Sequence, residues 1–221
     1  MCLTEETVET LYLLGEDHRI VGVSGYAVRP PHVRREKPRI SAFISADVPK
    51  ILALEPDLAL AFSDLQADIV RDLVKAGVAV HAFNHRDVEG IYGMIRTVGA
   101  LVGAAAKATA LVEELAARVE RMRGLGAALP CRPRVYFEEW DEPMICGIRW
   151  VSELIEIAGG EDVFREKARS PGAQGRIVSV DEVATASPDL IIGSWCGKKF
   201  VPGRVTAIAA NRRLERRFVS Q

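Results

Sequence analysis

The chain has few of the residues that announce chemistry. Among 221 residues there are four histidines and four cysteines. Cys2, Cys131, Cys146 and Cys196 form no CxxC pair, so zinc-finger spacing is absent. A disulfide among the last three stays open, with free, partly buried thiols the simpler reading. His81 and His85 are four apart, but their segment reads as strand and then loop, so the helical logic of HExxH does not apply. There is no GxSxG, no GxxxxGK[ST], and no GxGxxG after a strand, so no motif points to a serine nucleophile or a phosphate cradle. Neither sign of charge dominates: 29 basic and 30 acidic residues leave −1. No global field would draw in nucleic acid or an acidic membrane. The basic run Arg212, Arg213, Arg216 and Arg217 reads as a local solvated face, and no nucleic-acid partner is expected. No apolar run reaches the roughly 18 residues a membrane helix needs. The first six residues lack a basic n-region and an apolar h-region, so as written the chain is expected to carry no export signal.

What is present is alternation. Hydrophobic residues make up 48%, enough to bury one large core or two smaller ones. Residues 1–3 read as a very short strand. A helix follows, with Thr4 as N-cap and Gly15 beyond its end. Strands are expected at 19–24, 58–62 and 78–83, and from about residue 132. Helices are expected between about 46 and 56, at 66–77, at 88–103, and from 104 to about 123, where Gly124, Gly126 and Pro130 should break the last. Strands alternating with helices of this length imply βαβ units and parallel sheets. The expected organisation is an α/β fold with an N-terminal lobe (1–103), a connecting helix (104–124) and a C-terminal lobe (130–221).

The halves resemble one another. Residues 47–60, DVPKILALEPDLAL, match residues 179–192, SVDEVATASPDLII, as a helix, a Pro-Asp step and an apolar strand. Each half opens with a strand running into paired glutamates, Glu5-Glu6 and Glu138-Glu139. Two such lobes joined by one helix are expected to face each other across a cleft. The 25 residues after Cys196 suffice for one helix but not for the helix, strand and helix of the first half. The second lobe is therefore expected to be truncated, with a bare sheet edge and lowered stability.

The segment 134–150, RVYFEEWDEPMICGIRW, concentrates the polar chemistry. A glycosidase-like acid pair needs two carboxyls addressing one bond. Glu138 and Glu139 are adjacent, so on a strand they point to opposite faces. A metal site from this pair and a histidine, serving a metal-dependent enzyme, has no diagnostic spacing. A binding cleft accounts for more. Ligands of open α/β sheets sit beyond the carboxyl ends of the strands. Seven Phe, four Tyr and three Trp are few, yet Tyr26, Phe62, Phe83, Trp140 and Trp195 fall just after expected strands. Aromatic walls with a few polar groups suit a flat organic ligand.

At this point CLTEETVETLYLLGEDHRIVGVSGYAVRPP, ADVPKILALEPDLALAF, GVAVHAFN, RVYFEEWDEP, VSELIEIAGGEDVF and SPDLIIGSWCG resemble the substrate-binding proteins of ABC importers for vitamin B12 and ferric siderophores, and cobalamin-binding proteins most. The resemblance spans nearly all of residues 2–200. It implies the helical-backbone class of periplasmic binding proteins, with two Rossmann-like lobes bridged by a helix. It also implies a monomer that binds cobalamin or a similar metal chelate without catalysis. By position it places Glu5, Glu6, Tyr26, Phe43, Phe62, Glu138, Glu139, Trp140, Trp150 and Trp195 at the cleft, with Arg29 and Ser63 as further polar contacts. Ferric siderophore or haem on the same scaffold is the alternative. The family docks on its permease through one acid per lobe. Asp181 matches the second; the first falls on Pro49, with Asp47 nearby. The family is periplasmic, whereas the start as written suggests a cytoplasmic chain.

Overall fold

The structure is a computed structural model and describes residues 1–195 and 218–220. The shortest expected strand lies at the centre of the first sheet. Cys2 bridges in parallel to Val23 on one side and Leu60 on the other. Cys2 N–H donates to the Gly22 carbonyl and Leu3 N–H to that of Leu60. Three residues suffice there because Cys2 and Leu3 are wholly buried, with neighbours on both sides. Around them run β1 (Val23–Ser24), β2 (Arg39–Ser41), β3 (Leu58–Phe62) and β4 (Ala79–Phe83). All pair in parallel, in the order β2, β1, residues 1–3, β3, β4. The strand expected over 19–24 shortens to β1, and Asp17–Arg19 instead forms a 3-10 turn.

Helices α1 (Glu5–Leu13), α2 (Val33–Glu36), α3 (Val48–Leu52), α4 (Ala67–Lys75) and α5 (Val88–Leu101) link or follow these strands. α1 and α4 stop where glycine permits a left-handed turn, at Gly15 (φ 69°) and Gly77 (φ 85°). Met1, Leu3, Ile40, Ile51, Ala59, Ala61, Ile69, Leu73 and Val78 close one core between sheet and helices.

α6 (Ala105–Ala127) passes straight through Gly124 and Gly126, contrary to expectation. A Cβ on Gly126 would lie 2.6 Å from backbone atoms of Ile157, Ala158 and Gly159. Gly126 is there so that two backbones can touch. Residues divide into two compact units, Met1–His85 with Glu89–Leu115, and Arg86–Val88 with Ala116–Gln221. The chain enters the second unit briefly at Arg86–Val88 and passes to it again within α6.

The second unit is built on β5 (Arg134–Asp141), β6 (Met144–Cys146), β7 (Glu161–Asp162), β8 (Leu190–Gly193) and β9 (Phe218–Ser220), with α7 (Arg149–Ile157), α8 (Arg165–Ala168) and α9 (Val180–Ala186). β7 and β8 pair in parallel with β5, and β6 pairs antiparallel. The edge of β8 expected to be bare carries β9 in parallel. The helix expected near the end, the basic run and Cys196 otherwise lie outside the described residues. Tyr136, Met144, Cys146, Phe164, Val178, Val183, Ile191 and Trp195 form this unit's core.

The repeat is visible in the backbone. Asp47 caps α3 by accepting from Lys50 N–H at 3.0 Å. Ser179 caps α9 from the same position, in a reciprocal box with Glu182. Glu55 and Ser187 both adopt φ 45° just before Pro-Asp. Strand register corrects one equivalence. Leu60 pairs with Cys2 and its counterpart Ile192 with Phe137. Glu5-Glu6 therefore match Trp140-Asp141 rather than Glu138-Glu139.

Candidate functional site

Parallel strands bring their carboxyl ends to one edge of a sheet. In the first unit that edge carries Glu5, Glu6, Tyr26, Phe43, Phe62, Ser63 and His85. Phe62 and His85 stack obliquely, ring centroids 4.8 Å apart. Ser63 lies at φ 65° and ψ 170°, a region usually left to glycine. Its N–H donates to the Phe83 carbonyl (2.8 Å), and its Oγ accepts from Leu65 N–H (3.3 Å). Tyr26 is 38% exposed and Phe43 half-buried. Arg29 stands in solvent, 3.9 Å from Glu9. Burial pushes the Glu6 carboxyl above the usual range, against a smaller opposing effect of the Thr4 hydroxyl. Its Oε1 is shielded from solvent with no hydrogen-bond partner. Glu5 is also raised, by desolvation and then by Glu6, while Arg34 and Arg29 pull it back.

Gln66, which the sequence reading passed over, joins these loops. It is 0% exposed. Its Oε1 accepts from Phe62 N–H at 3.0 Å, and its Nε2 donates to the Leu3 and Phe43 carbonyls at 3.2 and 2.8 Å. A glutamine four residues past a strand has no sequence signature of this role.

In the second unit the expected strand-end lip is not what the fold builds. β5 does not stop at Glu138 but continues to Asp141, turns at Glu142-Pro143, and returns as β6. Glu138 is 0% exposed. It accepts from Tyr136 Oη at 3.2 Å and from Trp195 Nε1 at 3.0 Å, inside the core. Burial and the Glu138 charge push the Tyr136 hydroxyl far up, so it stays a donor. Trp195, expected as a cleft wall, is core for the same reason. Glu139 points to the opposite face, as alternation requires. There it holds Arg176 through two hydrogen bonds, 2.6 and 3.0 Å, and accepts from Ile148 N–H at 3.1 Å. Arg176 also donates to the Cys146 carbonyl at 2.6 Å. Glu139 thus holds the hairpin together, and Glu138 ties β5 to the segment after β8. Trp140 and Trp150 are half-buried, and Trp140 Nε1 donates to the Glu142 carbonyl at 2.9 Å.

Cys2 and Cys146 are free and buried, and Cys131 is free and exposed. Among the described residues, no three His, Cys, Asp or Glu side chains gather closely enough to hold a metal ion. A recess lined by Arg132, Glu156, Asp162 and Lys167 lies beside β7, at the amino end of β5 and away from the strand carboxyl ends. Asp47 and Asp181 are exposed on the first turns of α3 and α9, and Pro49 is inside α3. Among the described residues no helix is long and apolar enough to cross a membrane.

Known proteins are similar to this chain. A cobalamin-binding protein of Halobacterium salinarum is 25% identical over 196 residues, 86% of this chain and 52% of that one. The chain thus spans about half the length of this relative. A vitamin B12-binding protein of Vibrio campbellii is 23% identical over 195 residues, covering 87% of this chain and 69% of its own. Among solved structures, the periplasmic haem-binding protein of Roseiflexus sp. RS-1 superposes with a TM-score of 0.81 at 21% identity, covering 99% of this chain and 87% of that one. The periplasmic vitamin B12-binding protein of Vibrio cholerae gives 0.74 at 20%, with 99% and 85% covered. These two likenesses confirm the α/β fold. The periplasmic binding protein profile matches residues 1–216, and the chain belongs to that family.

Proposed function

We propose that this chain is the substrate-binding component of an ABC importer and binds cobalamin or a related corrinoid without catalysis. The observation that carries this is the strand-end edge of the first unit. Phe43, Phe62 and Tyr26 stay partly exposed there, beside the carboxyls of Glu5 and Glu6, with Arg34 and Arg29 the cations that act on Glu5. A large, neutral or cationic macrocycle would bury apolar area on the rings and meet polar groups at Glu5, Glu6 and Ser63. Glu138, Glu139 and Trp195 drop out as contacts, because they are committed within their own unit. Asp181 and Asp47 are the acids available to a permease, in a periplasmic setting.

Haem is the second reading, favoured by His85 and Tyr26, which could each offer an iron ligand at the same edge. Calorimetric and absorbance titration with cyanocobalamin and with ferric protoporphyrin separates the two. Saturable heat with cobalamin supports the first. A shifted Soret band lost in His85→Ala or Tyr26→Phe, with no cobalamin heat, supports the second. Binding of neither, or turnover on added metal, overturns both.

A further inference from the structure

We infer that Gln66 is the positioning residue of the first unit's strand-end edge, and that Ile44 and Leu65 are apolar ligand contacts it sets in place. The inference rests on the binding role proposed above for this edge. Three loops meet at Gln66, those that follow residues 1–3, β2 and β3. Its amide engages each through a backbone group: the Leu3 carbonyl, the Phe43 carbonyl and Phe62 N–H. A buried amide making these three bonds fixes loop positions far more tightly than apolar contact would. Directly beside the clamped groups stand two large apolar side chains that the fold leaves in solvent. Ile44 follows Phe43 and is 71% exposed; Leu65 precedes Gln66 and is 57% exposed.

Neither loop is loose at its base. Ala42 N–H donates to the Ser45 carbonyl at 2.8 Å, and Ser41 bridges to Ala46, so Ile44 sits at the tip of a closed turn. Ser63 Oγ and N–H brace the turn that carries Leu65. Exposed Ile and Leu on two braced turns, tied by one buried amide and flanked by Phe43 and Phe62, make an apolar rim. Such a rim contributes affinity for a macrocycle edge through area removed from water, without any charge complement. A glutamine is required because the site needs an acceptor for Phe62 and donors for two carbonyls from a single side chain.

The test is a double-mutant cycle in the full chain, with cyanocobalamin and ferric protoporphyrin as probes. Ile44→Ser and Leu65→Ser remove exposed side chains and should leave the melting temperature unchanged. Each is expected to weaken binding of the accepted probe roughly ten-fold, the scale of one lost apolar contact. In a Gln66→Met background, confirmed folded by circular dichroism, Ile44→Ser should cost less than about two-fold, because the turn is no longer held. Ile44→Ser costing the same in both backgrounds, or leaving affinity unchanged in the wild type, overturns the inference. Amide hydrogen exchange separates this from failure of the binding role. If the wild type binds neither probe, the proposed function fails. The positioning claim is then decided by Phe62 N–H, which should lose protection in Gln66→Met, where its acceptor is gone. Unchanged protection in Gln66→Met overturns it.

Discussion

Glu139 and Arg176 show how a surface-looking cluster becomes internal. The Arg176 side chain is 5% exposed and that of Glu139 22%. Removing the acid leaves a buried guanidinium with one carbonyl partner. Glu139→Leu is therefore expected to destabilise by about 3 kcal/mol, the usual cost of an orphaned buried charge. Arg176→Met leaves the more exposed partner unpaired and should cost less, and Glu139→Leu/Arg176→Met less than the sum of the two. Urea unfolding of the three variants checks the order. Glu6 works in the other direction. Its carboxyl is raised by burial, so the folded state holds its proton at pH values where the unfolded chain has released it. Stability from this group is then highest below the ordinary glutamate range and falls as pH rises through the raised folded value. Glu6→Gln should raise the melting temperature at pH 7 and leave it nearly unchanged near pH 4. An equal shift at both would show that the charge is not the cause. The sequence marked both residues as ligand contacts. It could show that Glu138 and Glu139 alternate faces, but not that each face was already occupied, since Trp195 and Arg176 arrive from 57 and 37 residues away.

At the scale of elements, glycine separates what local rules read from what packing decides. Gly15, Gly77 and Gly159 end helices as their positive φ requires. Gly124 and Gly126 are breakers by local rules, yet both lie inside α6. A Cβ on Gly124 meets nothing within 4 Å, whereas one on Gly126 would meet the backbone at the end of α7 at 2.6 Å. Gly124→Ala is expected to stabilise by up to about 1 kcal/mol from helix propensity alone. Gly126→Ala gains the same propensity but forces two backbones apart, a net loss of about 1–3 kcal/mol by the usual cost of overpacking. Chemical denaturation of the pair is decisive, because opposite signs two residues apart cannot come from propensity. β3 emerged with the limits expected, since a short apolar run after Pro-Asp leaves little choice. The β5–β6 hairpin did not, because nothing local told a strand end from a strand that turns back.

The whole molecule follows from duplication more than from any single motif. Capped helix, left-handed residue, Pro-Asp and parallel strand recur in both units, each around its own buried cluster. The alternation of elements and the repeat were readable because they depend on local patterns repeated at a fixed offset. The register between halves was not, since it depends on which residues face each other across a ladder. Two compact units, each with its own buried cluster, have a thermodynamic consequence. Scanning calorimetry is expected to show a calorimetric enthalpy above the van't Hoff value, resolvable into two transitions. Leu73→Ala, which opens a cavity in the first unit's core, should lower one transition by an amount equivalent to about 2–5 kcal/mol. Gly126→Ala should lower the other. A single transition displaced by both variants would mean that the units unfold as one. In that case each core's stability would depend on the other, and ligand bound at the first unit's edge would protect the second as strongly as the first.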